Sequence, residues 1–278
     1  MVFVKKVNTD VKRIIGEFLG VNIRESGASG VVIGLSGGID SALCAKLCVD
    51  TLGRERVHLF FMPEDSTPPG DFEDVEKLSR YLDVPVHTLP INDLVKGFAD
   101  PLSRHGILGE VGEAAKNRGK INIKPRIRIC ILFYFANLYD CLVIGPSNKS
   151  ELLVGYFTKF GDGASDLALI GDLYKTQVFQ LARSLGMPQW LLEKKPSPGL
   201  AVGVNDEDEL KITYAFLDQI LAGFDLGYGE EYVAEKVGIP HEEVLRIRNM
   251  VISTIHKRRF PRIPKIGLYT VGIDRREY

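Results

Sequence analysis

An aspartate sits in the middle of a stretch that is otherwise suited to holding an anion. In Gly34-Leu35-Ser36-Gly37-Gly38-Ile39-Asp40-Ser41 the glycines let the backbone approach a phosphate closely with its N–H groups turned inward, and the helix start that follows adds partial positive charge. Ser36 and Ser41 supply hydroxyl donors. The Asp40 carboxylate repels that same anion unless a divalent cation lies between them, so the stretch implies Mg²⁺ carried by a polyphosphate. Two better-known glycine loops do not fit. No lysine follows Gly38 as the Walker pattern requires, and Gly34, Gly37 and Gly38 lack the third glycine of the Rossmann fingerprint.

Further along lies a second dense cluster, Pro146-Ser147-Asn148-Lys149-Ser150-Glu151. Glu151 follows a strand end as Asp40 does, so the two carboxylates are placed to share one magnesium. Lys175, in Gly171-Asp172-Leu173-Tyr174-Lys175-Thr176-Gln177, opens a helix expected to run to Gly186. A cation there opposes the helix dipole but is well placed to meet phosphate. Arg126 and Arg128 raise the same question, because Pro125 is expected at the first turn of an apolar helix and both arginines then oppose its dipole. Such a placement points to an anionic partner. By contrast, Asp206-Glu207-Asp208-Glu209 is sufficiently explained as helix capping.

These residues need a scaffold, and hydrophobic periodicity predicts one. Residues 3–26 show apolar positions at helical spacing, from Val4, Val7 and Val11 to Ile14, Ile15, Phe18, Leu19 and Ile23. Val31-Val32-Ile33, Val57 to Met62, Val84 to Leu89 and Cys141 to Gly145 read as buried strands, with helices after the first two over 39–53 and 72–82. His58 and His87 fall in strands and are expected to be hydrogen-bonded edge or core residues. Residues 94–119 are weakly helical and rich in glycine, which suits a mobile segment or a subunit contact. Residues 194–205, with Pro196-Ser197-Pro198-Gly199, form a breaker-rich stretch without periodicity, a candidate closing loop. The C-terminal third is helical, its last helix opened by Pro240, and ends in the basic run His256 to Arg262. The expected architecture is a doubly wound, mostly parallel α/β sheet with helices on both faces, a helical C-terminal part, and one domain over residues 1–278.

Composition narrows the function classes. The 278 residues are 45 % hydrophobic and 26 % charged, ordinary for a globular protein able to bury a substantial core. A net charge of −1 gives no general attraction to nucleic acid or membranes, so the basic run is better read as a pocket for a phosphorylated small molecule. No signal peptide or apolar span is evident, which leads to the expectation of a cytoplasmic protein. Cys44, Cys48, Cys130 and Cys141 form no CxxC pair and are expected as small buried apolar residues.

Ser-Gly-Gly-x-Asp-Ser after a buried strand resembles the pyrophosphate-gripping loop of the ATP pyrophosphatase group, which splits ATP to AMP and pyrophosphate. Taken with Asn148 to Glu151, Gly155 to Gly163, Gly171 to Val178, Asp206 to Leu210 and His256 to Arg259, the chain resembles the ammonia-dependent NAD synthetases over about residues 10–265. That resemblance implies an adenine nucleotide α-hydrolase-like fold. It assigns Gly34 to Ser41, Lys175 and Ser197 to ATP, with Asp40 and Glu151 on Mg²⁺ and with Asp40 and Lys175 as the catalytic groups. It places Arg126, Lys159, Asp166, His256 and Lys257 on deamido-NAD⁺. The implied reaction joins ammonia to the nicotinate carboxylate through an acyl-adenylate, in a homodimer with the dinucleotide site at its interface. The glutamine-using domain of larger members is not expected before Val31, so free ammonia or a separate supplier is the expected nitrogen source. One departure stands out: Pro146 replaces a threonine that usually touches ATP, and proline offers neither a hydroxyl nor an N–H. Two rival readings are another pyrophosphatase-group ligase and an ATP-binding module without turnover.

Overall fold

The computed structural model describes residues 2–8, 10–106, 109–195, 205–259 and 261–270. Four strands in these residues, β1 (Gly30–Leu35), β2 (Val57–Phe61), β3 (Val86–Thr88) and β4 (Cys141–Ile144), form one sheet in the order β3-β2-β1-β4. All neighbours are parallel, with Val31 opposite both Val57 and Leu142. A parallel sheet has to be covered on both faces, and alternation along β1 shows how this is done. Val31, Ile33 and Leu35 face one apolar cluster, while Val32 faces another with Phe60, Ile129 and Leu132.

The first face is covered by α1 (Val11–Ser26), α2 (Ile39–Leu52), α3 (Pro69–Leu82), α7 (Lys175–Ser184) and α8 (Gln189–Glu193). The second is covered by α5 (Glu113–Tyr139), against which α4 (Asn92–Arg104) packs. Beyond β4 come α6 (Lys149–Val154) and the short α9 (Asp206–Leu210), then α10 (Tyr214–Asp225), α11 (Glu230–Val237) and α12 (His241–Ser253). These last three, with Phe3, Val4, Val154 and Tyr174, enclose a third apolar cluster. From β1 the chain proceeds to β2 on one side, whereas β4 adds on the other. The carboxyl ends of β1 and β4 therefore flank a topological switch point, where open α/β sheets leave a crevice.

Several sequence expectations shift. The first helix starts at Val11 rather than residue 3, because the N–H groups of Val2, Phe3 and Val4 are all bound by Gln219 Oε1 of α10 and Phe3 packs on Tyr228. Ile14 and Phe18, expected in the core, are exposed. Pro125 does not open a helix. It lies twelve residues inside α5, buried, where a Cβ on Gly161 would come within 3.0 Å of its own Cβ. Tertiary packing thus overrides the first-turn preference of proline, and the dipole argument built on Arg126 and Arg128 falls with it. Residues 94–119 hold most of α4 and the start of α5. Cys44, Cys48 and Cys141 are buried free thiols as expected, but Cys130 is exposed on α5. No helix of the described residues is long and apolar enough to cross a membrane.

Candidate active site

A cleft of about 460 Å³ opens at the carboxyl ends of β1 and β4, lined by Gly34, Leu35, Ser36, Gly38, Ile39, Asp40 and Ser41 on one side and Ile144 to Ser147 on the other. The turn depends on Gly37, whose φ of 76° is natural for glycine and strained for other residues. The loop's own hydroxyls hold it in shape. Ser36 N–H donates to Ser41 Oγ at 3.2 Å, Gly38 N–H donates to Ser36 Oγ at 3.2 Å, and the two hydroxyls lie 3.1 Å apart. Pro146 lines the cleft.

Asp40 and Glu151 converge on one cation. Lys175 Nζ donates to Asp40 Oδ2 at 2.5 Å and to Glu151 Oε1 at 3.3 Å, and Asn148 Nδ2 donates to Asp40 Oδ1 at 3.1 Å. Asn148 also caps α6 by accepting the Glu151 N–H, and its own backbone N–H donates to Glu151 Oε2 at 3.3 Å, so one residue holds both carboxylates. Lys175 is only 2 % exposed. Burial pulls its ammonium down, but Asp40 and Glu151 outweigh that and raise it above its ordinary value, so Lys175 stays charged. Burial pushes the Glu151 carboxyl up; Lys175 opposes this, and Asp40 and Asp206 add to the rise.

Behind these groups stands a carboxylate with no exposure, Asp218 of α10. It accepts from Ser150 Oγ at 2.5 Å and from Thr176 N–H at 2.8 Å, while Lys175 N–H donates to Ser150 Oγ at 2.9 Å. The helix starts that carry Glu151 and Lys175 are thereby tied to one buried anchor. Asp206 is more than a cap. It is 4 % exposed and takes hydrogen bonds from Tyr214 at 3.1 Å and Tyr156 at 3.4 Å, and burial raises its carboxyl despite the opposing pull of Lys175 and Tyr214.

Among the residues expected on the dinucleotide, Lys257 lines the cleft and donates to the carbonyls of Gly155 (2.7 Å) and Phe157 (2.9 Å). The others lie apart from it. Arg126 faces a separate apolar cleft and donates to the Lys159 carbonyl at 3.2 Å, Lys159 Nζ stands over the Phe160 ring, Asp166 accepts the Val143 N–H at 2.7 Å, and His256 is exposed. It is Arg128 that reaches the cleft, donating to the Met62 carbonyl at 3.0 Å. Ser197 lies outside the described residues, as does 196–204 of the expected closing loop.

The site's donors fit a magnesium ion brought in by a polyphosphate. Among the described residues no three His, Cys, Asp or Glu side chains form a protein-only metal cage. Asp40 and Glu151 offer two converging carboxylates, so an ion there would take its remaining ligands from phosphate oxygens and water.

The chain is similar to known proteins over most of its length. A family model described as NAD synthase matches residues 11–261. The NH₃-dependent NAD⁺ synthetase of Methanococcoides burtonii is 43 % identical over 91 % of this chain and 93 % of its own, and that of Archaeoglobus fulgidus 44 % over 92 % and 96 %. The solved NMN synthetase of Francisella tularensis superposes with a TM-score of 0.79 at 30 % identity, covering 94 % of this chain and 100 % of its own. The NH₃-dependent NAD synthetase of Campylobacter jejuni does so at 0.74 and 27 %, covering 92 % and 98 %. From the glycine loop to the basic turn after α12, this chain belongs to the NAD synthase family of ligases.

Proposed function

We propose that the protein makes NAD⁺ from deamido-NAD⁺, ATP and ammonia. The observation that carries this reading is the convergence of Asp40 and Glu151 on Lys175 beside a glycine loop at the switch point of the sheet. Amidating a carboxylate requires a leaving group better than oxide. The nicotinate carboxylate oxygen attacks the α-phosphorus, the bond to the β-phosphate oxygen breaks, and pyrophosphate departs. Ammonia then adds to the acyl carbonyl, AMP leaves with the bonding pair, and a proton is released.

Negative charge gathers on phosphate oxygens in the first step, and the start of α2 after the loop, with Lys175, is placed to meet it. Because Lys175 is held as an ammonium it stabilises charge and does not act as a base. Asp40 and Glu151 would hold a magnesium ion, which would supply charge neutralisation for the triphosphate and its leaving group. Lys257 and Arg128 border the same cleft and suit the phosphates of the dinucleotide.

The second copy in a homodimer gives a role to the residues that lie apart. Arg126 borders an apolar cleft of about 540 Å³ formed by Leu94, Phe98, Cys130 and Tyr134, and Tyr134 and Leu138 on α5 are 61 % and 56 % exposed. Covering that face brings Arg126 and Lys159 into a shared interface, where the nicotinate half of the dinucleotide can lie.

Likeness to an NMN synthetase supports a second reading, in which the acid is the mononucleotide counterpart of NMN. Mass spectrometry of products made from ATP and ammonium with each acid in turn separates the two. NAD⁺ with AMP and pyrophosphate is expected. Preference for the mononucleotide moves the assignment to the second reading, and glutamine replacing ammonium contradicts direct use of ammonia.

A further inference from the structure

The sequence presents Lys194 only as the start of a breaker-rich segment, yet it borders the polar cleft together with Asp71. Its surroundings are specific. Lys194 Nζ donates to Asp71 Oδ1 at 2.8 Å and Asp74 Oδ2 at 2.7 Å, both on α3, and to the Gly37 carbonyl at 3.1 Å. The three side chains are largely buried. An ammonium fixed by two carboxylates has one donor left for a backbone oxygen, and that oxygen belongs to the turn of the glycine loop.

A peptide unit is planar and trans, so its C=O and N–H point in opposite directions. With the Gly37 carbonyl drawn towards α3, the Gly38 N–H points the other way, where Ser36 Oγ accepts it at 3.2 Å. Glycine at 37 also leaves this peptide free to flip. The flipped form would break the bond to Ser36 Oγ and turn a carbonyl oxygen towards the cleft in place of that N–H. A Cβ at Gly37 would stand 3.4 Å from Lys194 Nζ and 3.4 Å from the Asp71 carbonyl, so the turn is closely backed on this side.

We infer that Lys194 is a positioning residue for the pyrophosphate end of ATP. By holding the Gly37–Gly38 peptide in one orientation against α3, it keeps the loop's amides arranged for a phosphate. This rests on the reading that the glycine loop seats the triphosphate. It predicts that Lys194 affects binding of the β- and γ-phosphates and leaves the nucleoside and its α-phosphate alone, a split that a general loss of structure would not produce.

Calorimetric titration of the purified protein with magnesium pyrophosphate and, separately, with AMP tests the inference. Lys194→Met should weaken pyrophosphate binding about tenfold or more while AMP binding changes less than about twofold, since the loss of one oriented backbone donor is at stake. Lys194→Arg, which keeps the cation and its donors, should recover most of the affinity. Because Lys194→Met leaves Asp71 and Asp74 facing one another, the variant combining it with Asp71→Asn and Asp74→Asn removes that repulsion and should show the same selective loss. Equal pyrophosphate affinity in wild type and the combined variant overturns the inference, as does an equal loss of AMP binding. If wild type binds neither pyrophosphate nor ATP, the seating of the triphosphate fails as well.

Discussion

Two clefts of similar volume, about 460 and 540 Å³, lie against α5, and they are built on opposite principles. One gathers Asp40, Glu151, Lys175 and Asp206 among buried partners. The other is lined by Leu94, Phe98, Ile127, Tyr134 and Phe135, with Arg126 as its charged member. Taking ions out of water costs several kcal/mol each before pairing offsets it, so folding alone gives no reason to assemble the first set. An exposed apolar face lowers its free energy simply by being covered. The polar cleft is therefore read as the place of reaction and the apolar one as a place of assembly.

The sharpest way to break this contrast is to remove the central cation. Lys175→Met leaves two carboxylates facing each other, and we expect pyrophosphate release to fall roughly a thousandfold with stability lowered by about 3–5 kcal/mol. Chemical denaturation and a pyrophosphate-release assay measure both. Asp40→Asn should lose adenylation to a similar degree, but with unchanged circular dichroism. Normal turnover by that variant would remove the magnesium assignment. Asp206→Asn, one step away from the reacting groups, should lower kcat about 10- to 100-fold, and an unaffected kcat would return Asp206 to helix capping.

Those variants also mark what sequence could and could not reveal. The β1 loop and the start of α2 were legible because glycine, serine and the apolar run act within a few residues of one another. Lys175 is recognisable as a charge at a helix start, and Glu151 as a carboxylate that follows a strand end as Asp40 does. Asn148 stands in the second polar cluster, but its bond to Asp40 spans 108 positions and leaves no local signal, and Asp218 gives none because its partner Ser150 lies 68 positions away. Asp206 was hidden inside an acidic run that looks like a cap. Pro125 misled for the opposite reason: a sound local rule gave way to the packing of Pro125 beneath Gly161. Arg126 and Arg128 differ by two positions, and only their places around the helix decide which cleft each one borders.

Proton linkage gives a smaller test of the polar cleft. Burial raises the folded Glu151 carboxyl from an ordinary value of 4.5 to about 8, an upward shift that Lys175 reduces and Asp40 increases. Its contribution to stability is therefore complete below the unfolded value and lost as pH climbs through the folded one. The stability of wild type relative to Glu151→Gln should decline between about pH 4.5 and 8, and a constant difference across that window would show that Glu151 is not held by the burial described. Smallest in its effect on folding is the apolar cleft. Leu138→Asp should change the stability of the chain by less than about 0.5 kcal/mol yet shift sedimentation towards monomer, and an unaltered oligomer would detach this face from assembly.

The central claim is that the acid's own oxygen attacks the innermost phosphorus of an ATP seated on the glycine loop. Supplying deamido-NAD⁺ with a heavy oxygen isotope in its carboxylate, together with ATP and ammonium, and weighing the phosphate products tests it most directly. The account predicts the label in AMP and none in pyrophosphate. Label in inorganic phosphate, with ADP as the second product, would contradict it.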